Sequence, residues 1–178
     1  MAILQSTLDQ LRARLEAALQ TSVPRAEPWV ALTNPVDLDG RVVESARNKM
    51  LMVLVGLQND PASGVAPTTN VAAPLRATPP LHLDASVMLM ANFSGSEYAT
   101  GLGMLSRTIA YFHENPVLIA DPLPGQPAEN IVLDFVNLDL AQTNELMAML
   151  DLKYLPSAVY RMRGLEFTSS PPALSEPR

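Results

Sequence analysis

Two histidines are the whole imidazole complement of this 178-residue chain. One of them, His82, stands two positions before Asp84 in a stretch that alternates apolar and polar residues. In an extended strand that spacing puts both side chains on one face. A carboxylate there could orient an imidazole as a general base, or two histidines and an aspartate could hold a metal. The second histidine, His113, closes a helical pattern, where the helix dipole favours it without any catalytic reason. No G-x-S-x-G nucleophile elbow accompanies the pair. Gly101-Leu102-Gly103-Met104 lies inside helical periodicity, not between a strand and a helix where a phosphate-cradling loop belongs. The absence of cysteine excludes disulfides and thiolate metal sites. No catalytic, cofactor-binding or metal-ligating residue is assigned, and a small hydrolase using His82 and Asp84 is the weakest of three functional readings.

Other charged patterns have structural explanations beside chemical ones. Asp37-Leu38-Asp39-Gly40 alternates aspartates as a calcium loop does, but no glutamate follows at the distance that would complete it, so a tight turn is expected. Arg161 and Arg163 share one face of a terminal strand, where they could bind an anion or a partner's carboxylates, or protect a solvated sheet edge. Met88 and Met90 interrupt the polar face of the His82–Asp84 strand, and methionine suits adaptable interfaces as well as irregular cores. Met88, Met90, Arg161 and Arg163 are therefore the candidate partner-interface residues.

The elements that position these residues centre on Pro79 to Pro116. Leu81, Leu83, Ala85, Val87, Leu89, Ala91 and Phe93 share one face of a long strand. Ser94-Gly95-Ser96-Glu97 fits a capping box, with Phe93 stapling onto the first turn. Tyr98, Leu102, Leu105, Ile109 and Phe112 then recur at helical steps as a buried stripe, ended by Pro116. Before this stretch, Leu4, Leu8, Leu11, Leu15 and Leu19 mark an amphipathic helix, in which Arg12 and Glu16 can pair one turn apart. Trp29 to Val36 allows a short strand. Lys49 to Gln58, apolar on both faces, predicts a strand central in its sheet. Asn59 to Pro80 has no periodicity and suits an extended arm. Further on come a short apolar run at Val117 to Ala120 and a strand at Asn130 to Asn137. Asp139 N-caps a helix with Leu146, Met149 and Leu150 inward, and a last strand runs from Ser157 to Phe167. The pattern predicts an α+β fold, a mostly antiparallel sheet flanked by helices. One domain over residues 1–167 and a proline-rich tail at 168–178 are expected.

Composition narrows the partners. The chain is 48% hydrophobic, enough for a sizeable core, with a net charge of -6 that disfavours nucleic-acid binding. Neither a signal peptide nor a membrane span is read at the N-terminus, so a cytoplasmic product is expected. Sixteen prolines against eight glycines favour extended, semi-rigid connections.

The ordered set of short motifs resembles the cap, or tail-terminator, family of phage-tail-like contractile injection systems. It comprises PPL before an alternating strand ending Ala91-Asn92-Phe93, Tyr98 and Leu105 in the helix, and F-x-x-N-P-V at Phe112 to Val117. Val136-Asn137-Leu138, Asn144-Glu145-Leu146, and Lys153-Tyr154-Leu155-Pro156-Ser157 leading to Tyr160 and Arg163 complete it. The resemblance covers about residues 1–167, most strongly from Pro79. It implies a non-enzymatic protein without a cofactor that assembles as a hexameric ring on the distal end of the inner tube and sheath. There it would end polymerisation and hold the last sheath ring. The implied partners are its own copies and the tube and sheath proteins, with no nucleic acid, membrane or small-molecule substrate. A tryptophan and a glycine common in the family near Leu146 to Asp151 are replaced by Met-Ala-Met-Leu-Asp. A baseplate or adaptor module of the same machine is the second reading.

Overall fold

The protein is described from a computed structural model covering residues 3–60, 81–119 and 130–167. Helix α1 (Ile3–Ser22) buries Thr7, Leu8, Leu11, Leu15 and Leu19, one side of a 3.6-residue repeat. It outlasts the predicted stripe by one turn and stops before Pro24. The chain then folds back so that Trp29 Nε1 donates to the Val23 carbonyl at 2.7 Å. The Arg25 guanidinium lies 3.9 Å from the centre of the Trp29 ring, a cation–π contact that pins this return.

Six strands follow, interrupted by two helices: β1 (Val30–Leu32), β2 (Lys49–Asn59), β3 (Leu81–Asn92), α2 (Tyr98–Glu114), β4 (Val117–Ile119), β5 (Asn130–Val136), α3 (Leu140–Met149) and β6 (Ser157–Phe167). They make one sheet in the order β1-β2-β3-β6-β5-β4. Only β1 and β2 pair in parallel. The predicted α+β class with a mostly antiparallel sheet is the observed one. β2 was expected to be central but lies second from one edge, paired with β1 only at Met50–Met52. Its two apolar faces reflect a core on each side of the sheet, and β3 and β6 form the middle. β6 lies between β3 and β5, so Arg161 and Arg163 stand inside the sheet, and of the two readings of the pair the protective sheet edge does not apply.

Helices α1 and α2 cover one face. Leu11, Leu15, Leu19, Met104, Leu105 and Phe112 meet Met50, Met52, Val87, Leu89, Tyr160 and Met162 there. Each fully buried aliphatic side chain of this core contributes about 1.5–3 kcal/mol. The buried stripe of α2 is Gly101, Met104, Leu105, Thr108 and Phe112, rotated from the predicted one. Tyr98, Leu102 and Ile109 stay substantially exposed. The rotation lets Gly101 sit under the Phe93 ring, where a Cβ would meet Phe93 Cδ2 at 2.8 Å. Thr108 is tolerated inside because its hydroxyl donates to the Met104 carbonyl at 2.9 Å. The predicted capping box before α2 does not form. Gly95–Glu97 makes a 3₁₀ turn without a side-chain cap, and Glu97 accepts instead from the Thr100 hydroxyl.

The opposite face carries α3 and a smaller core of Ala46, Leu51, Val53, Met88, Met90, Met147 and Val159. Asp139 caps α3 as predicted. Gln142 reciprocates: its amide N donates to Asp139 Oδ1 at 2.8 Å, and its side chain accepts from the Asp139 amide at 3.0 Å. Met147, not Met149, is the buried methionine of this helix, and Met149 is exposed.

Candidate partner-binding surface

The smaller core covers only part of its face. Along β3 the side chains on that side are Met90 and Met88, then Ser86, Asp84 and His82. Along β6 they are Val159, then Arg161 and Arg163. Asp134 of β5 stands beside Arg161 in register. Apolar residues thus occupy the end under α3 and charged ones the other end.

A β-bulge sharpens the polar end. Leu83 pairs with Leu165 but Ala85 with Met162, so Arg163 and Gly164 together oppose Asp84. Gly164 has φ of 97°, and a Cβ on it would lie 2.7 Å from the Asn130 carbonyl oxygen. Glycine is therefore required at this point. The extra residue also restores parity: Leu165 returns to the larger core and is fully buried. The glycine within a strand pattern was the sequence signal for this feature.

Within the cluster, Arg163 Nε donates to Asp134 Oδ2 at 2.6 Å. Asp84 is only 4% exposed. Its Oδ1 and the Arg161 Nε are buried without a hydrogen-bond partner among the described residues. Burial and the nearby Asp60 carboxylate push the Asp84 carboxyl above its ordinary range, against the pull of Arg161 and Arg163. A buried acceptor left in this state is expensive, which marks the cluster as the strained part of the sheet.

The structure distributes the sequence candidates as follows. Met88 and Met90 are fully buried in the smaller core; they fill the space between the sheet, Ala46 and α3, and this corrects their expected exposure to a partner. Arg161 and Arg163 do share a face, in a network with Asp134 and Asp84. His82 shares that face, whereas His113 lines a cleft on the opposite side with Ile109, Phe112, Pro116, Leu133, Phe135 and Tyr160. The two histidines and Asp84 therefore do not converge. Among the described residues no group of three or more His, Asp or Glu side chains gathers as a metal site. The Asp37 turn is structural: Asp37 Oδ1 accepts from the Asp39 and Arg41 amides at 2.9 and 2.8 Å, and Gly40 has φ of 74°. Arg12 pairs with Asp9, not with Glu16. The carboxylate of Glu16 accepts from the Trp29 and Val30 amides at 3.1 and 2.7 Å. Residues 61–80 of the expected arm and the 168–178 tail lie outside the described residues.

Among the described residues, no helix is long and apolar enough to cross a membrane. No curated protein matches the sequence. Among solved structures, the fold is similar to the sheath/tube terminator of an extracellular contractile injection system, PVC, seen by cryo-EM in the extended state. The TM-score is 0.63 at 11% identity, over 96% of this chain and 58% of that one. At that identity the likeness is one of fold, and the chain spans 58% of the length of the matched terminator. The family model described as the Pvc16 N-terminal domain matches residues 6–178. The chain belongs to the Pvc16 N-terminal domain family.

Proposed function

We propose that this chain is a structural terminator of a contractile injection system. In this reading residues 1–167 form a single terminator-like domain. It assembles as a hexameric ring on the distal end of the inner tube and sheath, ends their polymerisation and anchors the last sheath ring. The family match across residues 6–178 carries the reading, and the fold likeness to a sheath/tube terminator supports it. The protein acts without catalysis or cofactor. It assembles in the cytoplasm and becomes part of the finished particle.

The physical chemistry suits an assembly role. A closed ring needs two different surfaces on each copy that meet after a fixed rotation. The sheet supplies a charged end on one face, where Arg163 stays exposed beside the more buried Arg161 and Asp84, with Arg161 and Arg163 as the contact residues toward partner carboxylates. The test is reconstitution of the purified chain with the tube and sheath proteins, followed by electron microscopy. Rings at tube ends and a narrowed distribution of tube lengths are expected. A strictly monomeric chain that leaves tube length unchanged overturns the reading. Ala substitution at His82 leaves assembly intact in this reading.

A further inference from the structure

Two apolar features lie toward opposite edges of the sheet. The first is the turn that follows β1. Val36 bridges Val42, and the Asp37 amide donates to the Arg41 carbonyl at 2.9 Å. With two amides bound to Asp37 Oδ1 and Gly40 at positive φ, the shape of the turn is fixed from within. At its tip Leu38 is completely exposed. Asp37 and Gly40 supply what the turn chemistry needs, so nothing in the fold calls for a leucine there. Leu38 shares a groove with the exposed Met149 of α3, which Asp37 and Asp151 also line. Asp39 adjoins it, paired with Arg41 at 3.3 Å, so acids outnumber bases around the leucine.

The second feature is the cleft at the C-terminal end of α2, about 300 Å³ in volume. Ile109, Phe112, Leu133, Phe135 and Tyr160 wall it. The Phe112 and Phe135 rings both meet Tyr160 edge-on, with centroids at 5.0 and 5.5 Å, so the wall is preformed. Ile109 and Phe135 remain exposed at its mouth. Among the described residues that line it, His113 is the only basic one and none is acidic.

We infer that Leu38 of one copy inserts into this cleft of the next copy, so that copies of the chain join head to tail. β1 and β5 lie four strand spacings apart, about 19 Å. The turn packs on the α3 face and the cleft opens on the α2 face. A chain therefore cannot fill its own cleft, and a reciprocal two-fold exchange, which needs both features on one shared patch, is denied by the same separation. Complementarity names the occupant. An apolar tip flanked by Asp37 and Asp39 enters an apolar cleft whose His113 offers a ring N–H to a carboxylate. The fixed turn loses little freedom on docking, and an aliphatic anchor in a preformed aromatic pocket suits the centre of an interface. The inference rests on the terminator reading and names, within it, the residues that join neighbouring copies.

The test uses Leu38→Asp and Ile109→Asp, each at an exposed position that leaves the turn and the α2 core in place. Both are compared with the wild-type chain for thermal midpoint, for self-association by sedimentation, and for rings at the ends of reconstituted tube and sheath. The expected result is an unchanged midpoint with self-association weakened about tenfold or more in each variant. An equimolar mixture of the two should form dimers and nothing larger, because the first variant keeps its cleft and the second its leucine. If Ile109→Asp lowers the midpoint, Phe135→Ser takes its place as the cleft variant. Wild-type-like self-association and rings from a folded Leu38→Asp chain overturn the inference and leave the terminator reading standing. A cleft variant that self-associates normally but no longer attaches to tube and sheath overturns it too, in favour of another protein as the occupant. A mixture that regains no dimer overturns the head-to-tail pairing. A wild-type chain that neither self-associates nor forms rings at tube ends overturns both the inference and the terminator reading.

Discussion

The two faces of this sheet are cut from the same strands yet built to different standards. One is covered along its length by α1 and α2, with Leu15, Met50, Met52, Ala85 and Met162 wholly buried. The other is covered by α3 at one end, through Met147 and the partly buried Leu146 and Leu150, and carries Asp84, Arg161, Arg163 and Asp134 at the other. The first face stores stability. The second spends part of it on orphaned polar atoms, which a protein tolerates where a surface has work to do with something outside the chain.

Truncation in the two cores gives the largest measurable contrast. Leu15→Ala empties a fully buried position between α1 and the sheet, and is expected to cost about 2–5 kcal/mol in denaturant unfolding. Met147→Ala removes the single buried residue of α3 and is expected to cost less, about 2 kcal/mol, because a ten-residue helix over a thin core can settle inward. Equal losses would mean that α3 is as integral to the fold as α1.

The same contrast explains what could be read from the sequence. The larger core announces itself: leucines at helical spacing in α1 and apolar residues at every second position of β3 from Leu81 to Ala91 leave little room for another arrangement. Periodicity alone does not orient α2, because apolar residues line more than one side of that helix. Gly101 under Phe93, rather than hydropathy, decides which side turns in. The charged cluster was visible only in fragments. His82 with Asp84 and Arg161 with Arg163 were apparent as pairs, but Asp134 enters through strand order, which joins β5 to β6 across α3. Met88 and Met90 read as interface residues because a methionine on an otherwise polar face carries no record of a helix that covers it in the fold. Local patterns fix which face a residue takes; which element covers that face is set by tertiary topology.

Gly164 couples the two faces. Its bulge sends Leu165 into the larger core while holding Arg163 on the charged side. Gly164→Ala must either displace the Asn130 carbonyl, 2.7 Å from the new Cβ, or give up the φ of 97°. A loss of about 1–3 kcal/mol is expected. Weakened protection of the Leu165 amide in hydrogen exchange should accompany it. A neutral effect would show that the bulge relaxes without cost and that the two faces are not coupled through it.

The smallest effect has the most informative sign. The Asp84 carboxyl is held above its ordinary value of 3.8, first by burial and then by Asp60, with Arg161 and Arg163 opposing. Between that ordinary value and the raised folded value, the folded chain keeps a proton that the unfolded chain has released. Stability contributed by this group is therefore present at low pH, falls as pH rises through that window, and is lost above it. Asp84→Asn removes the titration and leaves no carboxylate to desolvate. At pH 7 the variant is expected to be more stable than the wild type by about 1 kcal/mol. The advantage should shrink as pH is lowered toward the ordinary carboxylate value. Thermal unfolding of both proteins across that range measures it. Destabilisation at pH 7 instead would show that the pull of Arg161 and Arg163 outweighs burial, making the cluster a settled ion network rather than a face awaiting a partner.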